Sequence, residues 1–323
     1  MKHRVIALNY FVVDTAFQQL CAIEAREALA LGELNRLVIE ARGGAEGREL
    51  NLKQILALDD GGWESVDVLV FPRSKGPRRS IFRLLKLLKI RFKYGRGDKL
   101  FAGTLSSSWV RRIAGLLGVR KVVRLDDGSA SIPFVRKFRL KSDDAPRNDY
   151  LFTVFHRDDD EADIIRNDFN TLKRSAVSGS TIDDALVWLV GGAYAEARFL
   201  TLERELEIFR KLVAKSRSAR IIYFPHRADR ASKLDLIAAM GVNIAPEGNT
   251  FERRLLDEKQ LPSRICGIAS TALIMARILK PNITVCAVSL DPAPNKAYSD
   301  IMDEARFMGV EILDELSGSQ STF

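Results

Sequence analysis

Residues 5–31, VIALNYFVVDTAFQQLCAIEAREALAL, place a short apolar run directly before a longer amphipathic stretch. The run at residues 5–13 is rich in β-branched and aromatic side chains and is interrupted only by Asn9, which is typical of a buried strand. Residues 16–31 have the length and composition of a helix. Because a strand followed by a helix is the repeating unit of parallel sheets, this stretch predicts an α/β fold.

The same alternation continues outward from this stretch. In the first half, strands are predicted at residues 36–40, 66–71, 100–103 and 121–125, with helices in the basic segment described below and at residues 107–117. In the second half, strands are predicted at residues 185–190, 220–224, 241–244, 264–268 and 283–288, and helices from near Thr201 and at residues 233–240, 251–255 and 271–279. Residues 178–184, SGSTIDD, have the composition of a linker.

The length of 323 residues is sufficient for two domains. We predict a Rossmann-like domain at residues 1–177 and a second at residues 185–323, facing each other across a cleft. The composition, 46% hydrophobic and 28% charged, excludes wholesale disorder. The three cysteines lack CxxC spacing and are expected to be buried thiols, which fits a cytoplasmic protein. No apolar run reaches the ~18–20 residues of a membrane span.

The positive charge is concentrated in one segment. The net charge is +8, and residues 73–99 contain 11 Lys and Arg against one acidic residue. The basic residues recur every three or four positions among apolar ones, which predicts a basic amphipathic helix. Such a helix suits an anionic membrane surface or an anionic polymer, with contacts expected from Arg79, Arg83, Lys86 and Lys89. A core-packing helix with a solvated basic face is the alternative, and nucleic acid is not expected because no binding motif accompanies the charge.

Polar or glycine residues follow four of the predicted strands, where ligands bind in open α/β sheets. They are Gly191 and Gly192, Asp126 and Asp127, His226 and Arg227, and Ser270 and Thr271. A carboxylate there is suited to general-base chemistry, a histidine to contact with a leaving phosphate, and Ser-Thr at a helix N-terminus to phosphate binding. Each motif alone is also a common turn, a structural histidine or an N-cap.

In their order along the chain these motifs resemble those of bacterial sialyltransferases and polysialyltransferases with a GT-B fold. The resemblance rests on Asp126-Asp127-Gly128, on His226 after Phe-Pro, on Phe251-Glu252 and on Ser270-Thr271. Residues 13–24, VDTAFQQLCAIE, also resemble the family's first-strand exit. Two positions depart from the family pattern, because Arg227 and Ala16 stand where the family usually has proline.

The resemblance implies roles for these residues. Asp126 would deprotonate the acceptor hydroxyl, a role that Asp127 could share or take, and His226 would stabilise and protonate the departing CMP phosphate. The remaining donor-binding residues implied are Ser270, Thr271, Glu252, Gly191 and Arg227. The family's reaction inverts the anomeric centre and needs no metal. In agreement, the acidic run at residues 158–161 is expected to be a solvated loop rather than a metal site.

The sequence therefore predicts an inverting, metal-independent glycosyltransferase of the cytoplasm, peripheral on the inner membrane. It would move sialic acid or a related nonulosonic acid from a CMP-linked donor to a cell-surface glycan, with no cofactor. Two alternatives remain: a nucleotide-sugar epimerase of the same fold, and a non-catalytic protein that binds anionic glycan or lipid. GxGxxG, P-loop, HExxH and GxSxG motifs are absent from the sequence.

Overall fold

A computed structural model describes residues 7–42, 46–71, 77–103, 105, 107–140, 148–216 and 220–314. The chain divides into two compact units, Met1–Leu172 and Lys173–Phe323, which we call unit 1 and unit 2. The division lies at residue 172, whereas the sequence prediction ended the first domain at residue 177.

Unit 1 is built on a seven-stranded parallel sheet in the order β3-β2-β1-β4-β5-β6-β7. Its strands are β1 (Leu8–Val13), β2 (Leu34–Arg42), β3 (Ser65–Phe71), β4 (Lys99–Ala102), β5 (Lys121–Leu125), β6 (Asp149–Thr153) and β7 (Ile164–Arg166). Its helices are α1 (Ala16–Leu29), α2 (Glu46–Ala57), α3 (Pro77–Tyr94), α4 (Ser107–Leu117) and α5 (Ser131–Arg139), and the short helix α6 (Asn170–Ser175) runs across the division.

Unit 2 is built on a six-stranded parallel sheet in the order β10-β9-β8-β11-β12-β13. Its strands are β8 (Thr181–Val190), β9 (Arg220–Phe224), β10 (Asn243–Ile244), β11 (Gln260–Gly267), β12 (Thr284–Ser289) and β13 (Glu311–Asp314). Its helices are α7 (Leu202–Lys215), α8 (Ala231–Ala238), α9 (Phe251–Asp257), α10 (Thr271–Leu279) and α11 (Lys296–Phe307). Two parallel sheets with interleaved helices confirm the predicted α/β class.

The central strands of both sheets are buried on both faces, which explains their almost continuous apolar sequences. In unit 1, Phe11 of β1 stacks on Phe101 of β4 with ring centroids 4.1 Å apart. In unit 2, Trp188 of β8 packs against Phe224 of β9 with centroids 4.5 Å apart. All three cysteines are buried, as predicted. Among the described residues, no helix is both long enough and apolar enough to cross a membrane.

The predicted linker at residues 178–184 is wrong over its second half. Strand β8 begins at Thr181, and its first residues pair with Gln260–Pro262 of β11. The small and polar residues there look like a linker in sequence, because this end of β8 is exposed and has no apolar pattern.

The basic segment forms helix α3 as predicted, but Arg83 is not a surface residue. Its side chain is 17% exposed, and its guanidinium pairs with the buried carboxylate of Glu40 on β2 and lies 3.7 Å from the centroid of the Trp109 ring. Arg83 therefore fixes the helix to the sheet, and its prediction as a membrane or polyanion contact is wrong. The side chain of Arg79 lies outside the described residues. Lys89 is exposed and Lys86 is partly exposed.

The acidic run at residues 158–161 is only partly solvated. The Asp160 carboxylate is 2% exposed and receives hydrogen bonds from the Arg139 guanidinium and the Arg157 backbone N–H. These donors hold the pKa of Asp160 below its usual range even though burial acts in the opposite direction. The Asp160 carboxylate therefore ties the loop between β6 and β7 to helix α5 through Arg139.

Candidate functional site

Each sheet has one point at which the strand order reverses. In unit 1 this point lies between β1 and β4, and in unit 2 between β8 and β11. The chain leaves the carboxyl ends of two adjacent strands there in opposite directions, which opens a crevice suited to ligands. Most of the predicted catalytic and donor-binding residues follow strands at or next to these two points, whereas Glu252 lies in helix α9 after the edge strand β10.

Asp126 directly follows β5, and its side chain lies in the protein interior. Its carboxylate is fully buried, and it accepts hydrogen bonds from Thr153 Oγ1 and from the Val154 backbone N–H, both at 2.8 Å. Burial raises the pKa of Asp126 to about 6, and the hydrogen bonds only partly offset this effect. Asp126 thus joins the exits of β5 and β6.

Asp127 has a different environment one residue later. Its side chain is partly exposed, and Asp127 Oδ1 accepts a hydrogen bond at 2.8 Å from the Gln18 side-chain amide. Gln18 is fully buried in the first turn of α1, and its amide oxygen accepts from the Asp14 backbone N–H at 2.8 Å. A Cβ on Gly103, after β4, would lie 2.2 Å from the Gln18 amide oxygen. Gln18 therefore spans the exits of β1, β4 and β5 and holds Asp127 at the reversal point.

The exit of β8 in unit 2 approaches other chain segments closely. A Cβ on Gly191 would lie 2.3 Å from the Tyr223 hydroxyl oxygen, so this position requires glycine. Tyr223 donates to Asp229 Oδ2 at 2.8 Å, and Lys233 Nζ donates to Asp229 Oδ1 at 2.8 Å and to the Gly192 carbonyl at 3.0 Å. These contacts join the exits of β8 and β9.

Lys233 is the centre of this buried ionic cluster. Its ammonium is 1% exposed and contacts the carboxylates of Glu205 and Asp229, which are both fully buried, and it lies 3.5 Å from Glu196 Oε2. Hydrogen bonds to the two buried carboxylates raise the pKa of Lys233 against the effect of burial, whereas burial raises the pKa of Glu205. Through its contacts with Gly192, Ala195 and Glu196, the cluster holds the loop from Gly191 to Glu196 in place.

His226 follows β9 and is held in a defined orientation. Its backbone N–H donates to Asp229 Oδ2 at 2.9 Å, and its Nδ1 accepts from the Ala228 backbone N–H at 3.1 Å. With Nδ1 as acceptor, the proton of the neutral ring is assigned to Nε2. Burial lowers the pKa of His226, so at neutral pH the ring is an uncharged N–H donor. Arg227 beside it is exposed.

Ser270 and Thr271 open helix α10 at the other side of the reversal point. Ser270 is the N-cap, and its hydroxyl accepts from the Ala272 backbone N–H at 3.2 Å. Its own O–H proton remains available as a donor. The Tyr194 hydroxyl donates to the Ala269 carbonyl at 2.6 Å, which ties the β8 loop to the start of α10. Gly191, after β8, and Ser270, after β11, therefore lie at the same carboxyl edge of the unit 2 sheet.

Glu252 lies in the first turn of α9, which Thr250 caps by accepting from the Arg253 backbone N–H. Phe251 anchors this turn, because its ring packs 5.4 Å from Phe224 and 6.2 Å from Trp188. Burial raises the pKa of Glu252. The turn therefore lies next to the exits of β8 and β9.

The structure brings Gly191, His226, Glu252 and Ser270 to one edge of the unit 2 sheet, and Asp126 and Asp127 to one edge of the unit 1 sheet. Sequence reasoning missed the residues that hold them, which are Gln18, Tyr194, Asp229 and Lys233. Gln18 had a signal, because it belongs to the stretch at residues 13–24 that resembles the family's first-strand exit. Within the described part of the chain, no group of three or more His, Cys, Asp or Glu could hold a metal ion.

No protein-family profile matches the chain, and no curated protein matches its sequence. Among solved structures, the fold is similar to an α/β-galactoside α-2,3-sialyltransferase from Photobacterium phosphoreum, with a TM-score of 0.53 and 12% identity over 96% of this chain and 99% of that one. It is also similar to a UDP-N-acetylglucosamine 2-epimerase, with a TM-score of 0.51 and 10% identity over 88% of this chain and 79% of that one. At these identities the likeness concerns the fold alone, and it confirms the predicted GT-B-like class.

Proposed function

We propose that this protein is an inverting, metal-independent glycosyltransferase that moves sialic acid or a related nonulosonic acid from a CMP-linked donor to a glycan acceptor. The observation that carries the proposal is the gathering of the motif residues at the strand-order reversals of two parallel sheets. Fold likeness alone supports an epimerase equally, so the choice rests on the motifs.

Unit 2 is the donor-binding unit in this proposal. The neutral Nε2–H of His226, the Ser270 and Thr271 hydroxyls and the N-terminus of α10 are suited to a phosphate. The Glu252 carboxylate takes the ribose diol, which matches the role that the resemblance implies. Gly191 lets the β8 exit pass close to the Tyr223 hydroxyl beside this site, and the exposed Arg227 adds positive charge.

Unit 1 supplies the base, and we assign this role to Asp127 rather than Asp126. A general base must reach the proton that it abstracts, and Asp126 is fully buried with its oxygens occupied by Thr153 and Val154. Asp127 is partly exposed and is oriented by Gln18. Asp126 is then a positioning residue that holds the β5 exit.

The proposed reaction is a single displacement. The acceptor hydroxyl gives its proton to Asp127, and its oxygen forms the new bond to the anomeric carbon of the donor. The bond from that carbon to the CMP phosphate oxygen breaks, and the electron pair leaves with the phosphate. The Nε2–H of His226 stabilises the developing negative charge through a hydrogen bond.

The test is incubation of the full chain with CMP-N-acetylneuraminic acid, with and without lactose as a galactose-terminated acceptor. We expect release of CMP that lactose accelerates, formation of a sialylated product, and loss of both in Asp127→Asn. Parallel incubation with UDP-N-acetylglucosamine tests the epimerase. Epimerisation of that sugar without CMP release would overturn the proposal, and so would inactivity toward both donors together with failure to bind CMP.

A further inference from the structure

Helix α3 exposes large apolar side chains along one edge. Ile81, Leu85 and Phe92 are 56%, 59% and 86% exposed. They are spaced by four and seven residues, so they lie above one another on the helix. A row of exposed apolar side chains on one helix is costly in water and marks an interaction surface.

Three lysines run beside this apolar edge. Lys86, Lys89 and Lys93 are spaced by three and four residues and therefore form a second, adjacent edge. With Asp67 and Val68 of strand β3 they line an open cavity of about 270 Å³ between α3 and the edge of the sheet. Lys93 Nζ lies 3.6 Å from Asp67 Oδ1, and Lys86 Nζ lies 5.0 Å from the centroid of the Phe82 ring. The sequence of α3 contains no acidic residue.

The opposite side of α3 is fixed to unit 1, so this surface cannot turn inward. Leu87 and Ile90 are buried in the core cluster that includes Leu69 and Phe71 of β3. Arg83 pairs with the buried Glu40. The burial of one side and the pairing of Arg83 explain why the apolar residues of the other side stay exposed.

We propose that Ile81, Leu85, Phe92, Lys86, Lys89 and Lys93 form a docking surface for an anionic lipid bilayer. The apolar edge would enter the boundary between headgroups and acyl chains, while the lysine stems extend along it and place their ammonium groups among the anionic headgroups. A hydrated polyanion would use the lysines and gain nothing from Phe92. An apolar protein partner would gain nothing from the three lysines. An anionic bilayer interacts favourably with both the apolar edge and the lysine edge.

The experiment is cosedimentation of the full chain with vesicles of phosphatidylcholine alone or with about 30% phosphatidylglycerol. An apolar variant carries Ile81→Ser, Leu85→Ser and Phe92→Ser, and a charge variant carries Lys86→Gln, Lys89→Gln and Lys93→Gln. The apolar control carries Leu31→Ser, Leu140→Ser and Phe307→Ser, which are exposed elsewhere. The charge control carries Lys53→Gln, Lys121→Gln and Lys137→Gln, also exposed. Thermal unfolding verifies that all variants are folded.

We expect binding to the anionic vesicles only, weakened roughly a hundredfold in the charge variant and at least about tenfold in the apolar variant. Both controls should bind like the wild type, and CMP affinity should not change in any variant, because the docking surface is independent of the proposed donor site. Absence of binding to anionic vesicles would overturn the proposal. Undiminished vesicle binding by the folded apolar variant would also overturn it and point to a purely electrostatic contact through the lysines.

Discussion

Asp126 and Asp127 are identical side chains at consecutive positions with opposite environments. Successive side chains at the end of a strand point to opposite sides, so one carboxylate enters the sheet and the other faces the crevice. Asp126 accepts hydrogen bonds from β6 and the residue after it, and Asp127 accepts from Gln18 on α1. The motif alone leaves both residues as candidates for the base, because only the position of β6 decides which one is buried.

The first prediction separates the two carboxylates. Asp127→Asn keeps an oxygen that accepts from Gln18, but the amide cannot take a proton, so we expect turnover to fall by about 10²–10⁴-fold with an unchanged unfolding temperature. Asp126→Ala leaves the Thr153 hydroxyl and the Val154 N–H without their acceptor, and we expect a loss of about 2–4 kcal/mol in the free energy of unfolding. CMP release and thermal unfolding measure the two effects. Normal turnover in Asp127→Asn would refute its role as the base.

The second prediction concerns pH. The pKa of Asp126 is raised from an unfolded value of about 3.9 to about 6, so the folded state binds this proton more tightly than the unfolded state. Its contribution to stability is complete below about pH 4 and is lost as the pH rises through 6, by on the order of 2–3 kcal/mol. Denaturant unfolding of wild type and Asp126→Asn at pH 4.5 and 7.5 measures this, since the variant lacks the titrating group. The difference between the two proteins should change by about 2 kcal/mol between these pH values, because part of the loss has already occurred at pH 4.5. A pH-independent difference would count against the account.

At the scale of elements, helix α3 shows how a charged side chain serves packing. Arg83 belongs to the regular series of basic residues that predicts a solvated face, but it pairs with Glu40 beneath the helix. The aromatic ring of Trp109 on α4 covers its guanidinium. The sequence pattern predicts the helix correctly and assigns Arg83 to the wrong side, because the partner carboxylate is on another strand, β2, far away in sequence.

The third prediction tests this pair with a double-mutant cycle. Arg83→Met leaves the Glu40 carboxylate buried without its partner, and we expect the free energy of unfolding to fall by about 3 kcal/mol. Glu40→Met should cost a similar amount, and the double variant much less than the sum, because no unpaired charge remains. Urea unfolding measures all four proteins. Additive losses would show that the two residues act independently.

At the scale of the whole molecule, the repeating pattern of strand and helix predicts most of the two sheets. Strands Lys121–Leu125 and Arg220–Phe224 and helices Ser107–Leu117 and Thr271–Leu279 have the predicted bounds. The short strands β6, β7 and β13 and the polar beginning of β8 were missed, since pairing with neighbouring strands rather than an apolar pattern specifies them. Helices α5 and α11 were missed as well. Helix α2 was also missed, because its apolar residues do not form one continuous face.

The candidate site likewise contains residues that the sequence indicates and residues that only the structure reveals. The residues that would touch a ligand follow strands and carry recognisable chemistry, so the sequence indicates Asp127, His226 and Ser270. The residues that hold them do not show this role in sequence, because it depends on distant contacts. Lys233 on α8 reads as an ordinary helical lysine until the fold brings Glu205 and the Gly192 carbonyl to it.

The most direct test of the central claim, that unit 2 binds a CMP-linked donor, is calorimetric titration of the wild type, His226→Ala and His156→Ala with CMP, UDP and GDP. His156 lies in unit 1 rather than in the proposed donor-binding unit and is the matched control. We predict selective binding of CMP, unchanged in His156→Ala and weakened roughly ten- to hundredfold in His226→Ala through loss of the hydrogen bond to phosphate. Preference for UDP, or CMP binding that His226→Ala leaves intact, would contradict the account.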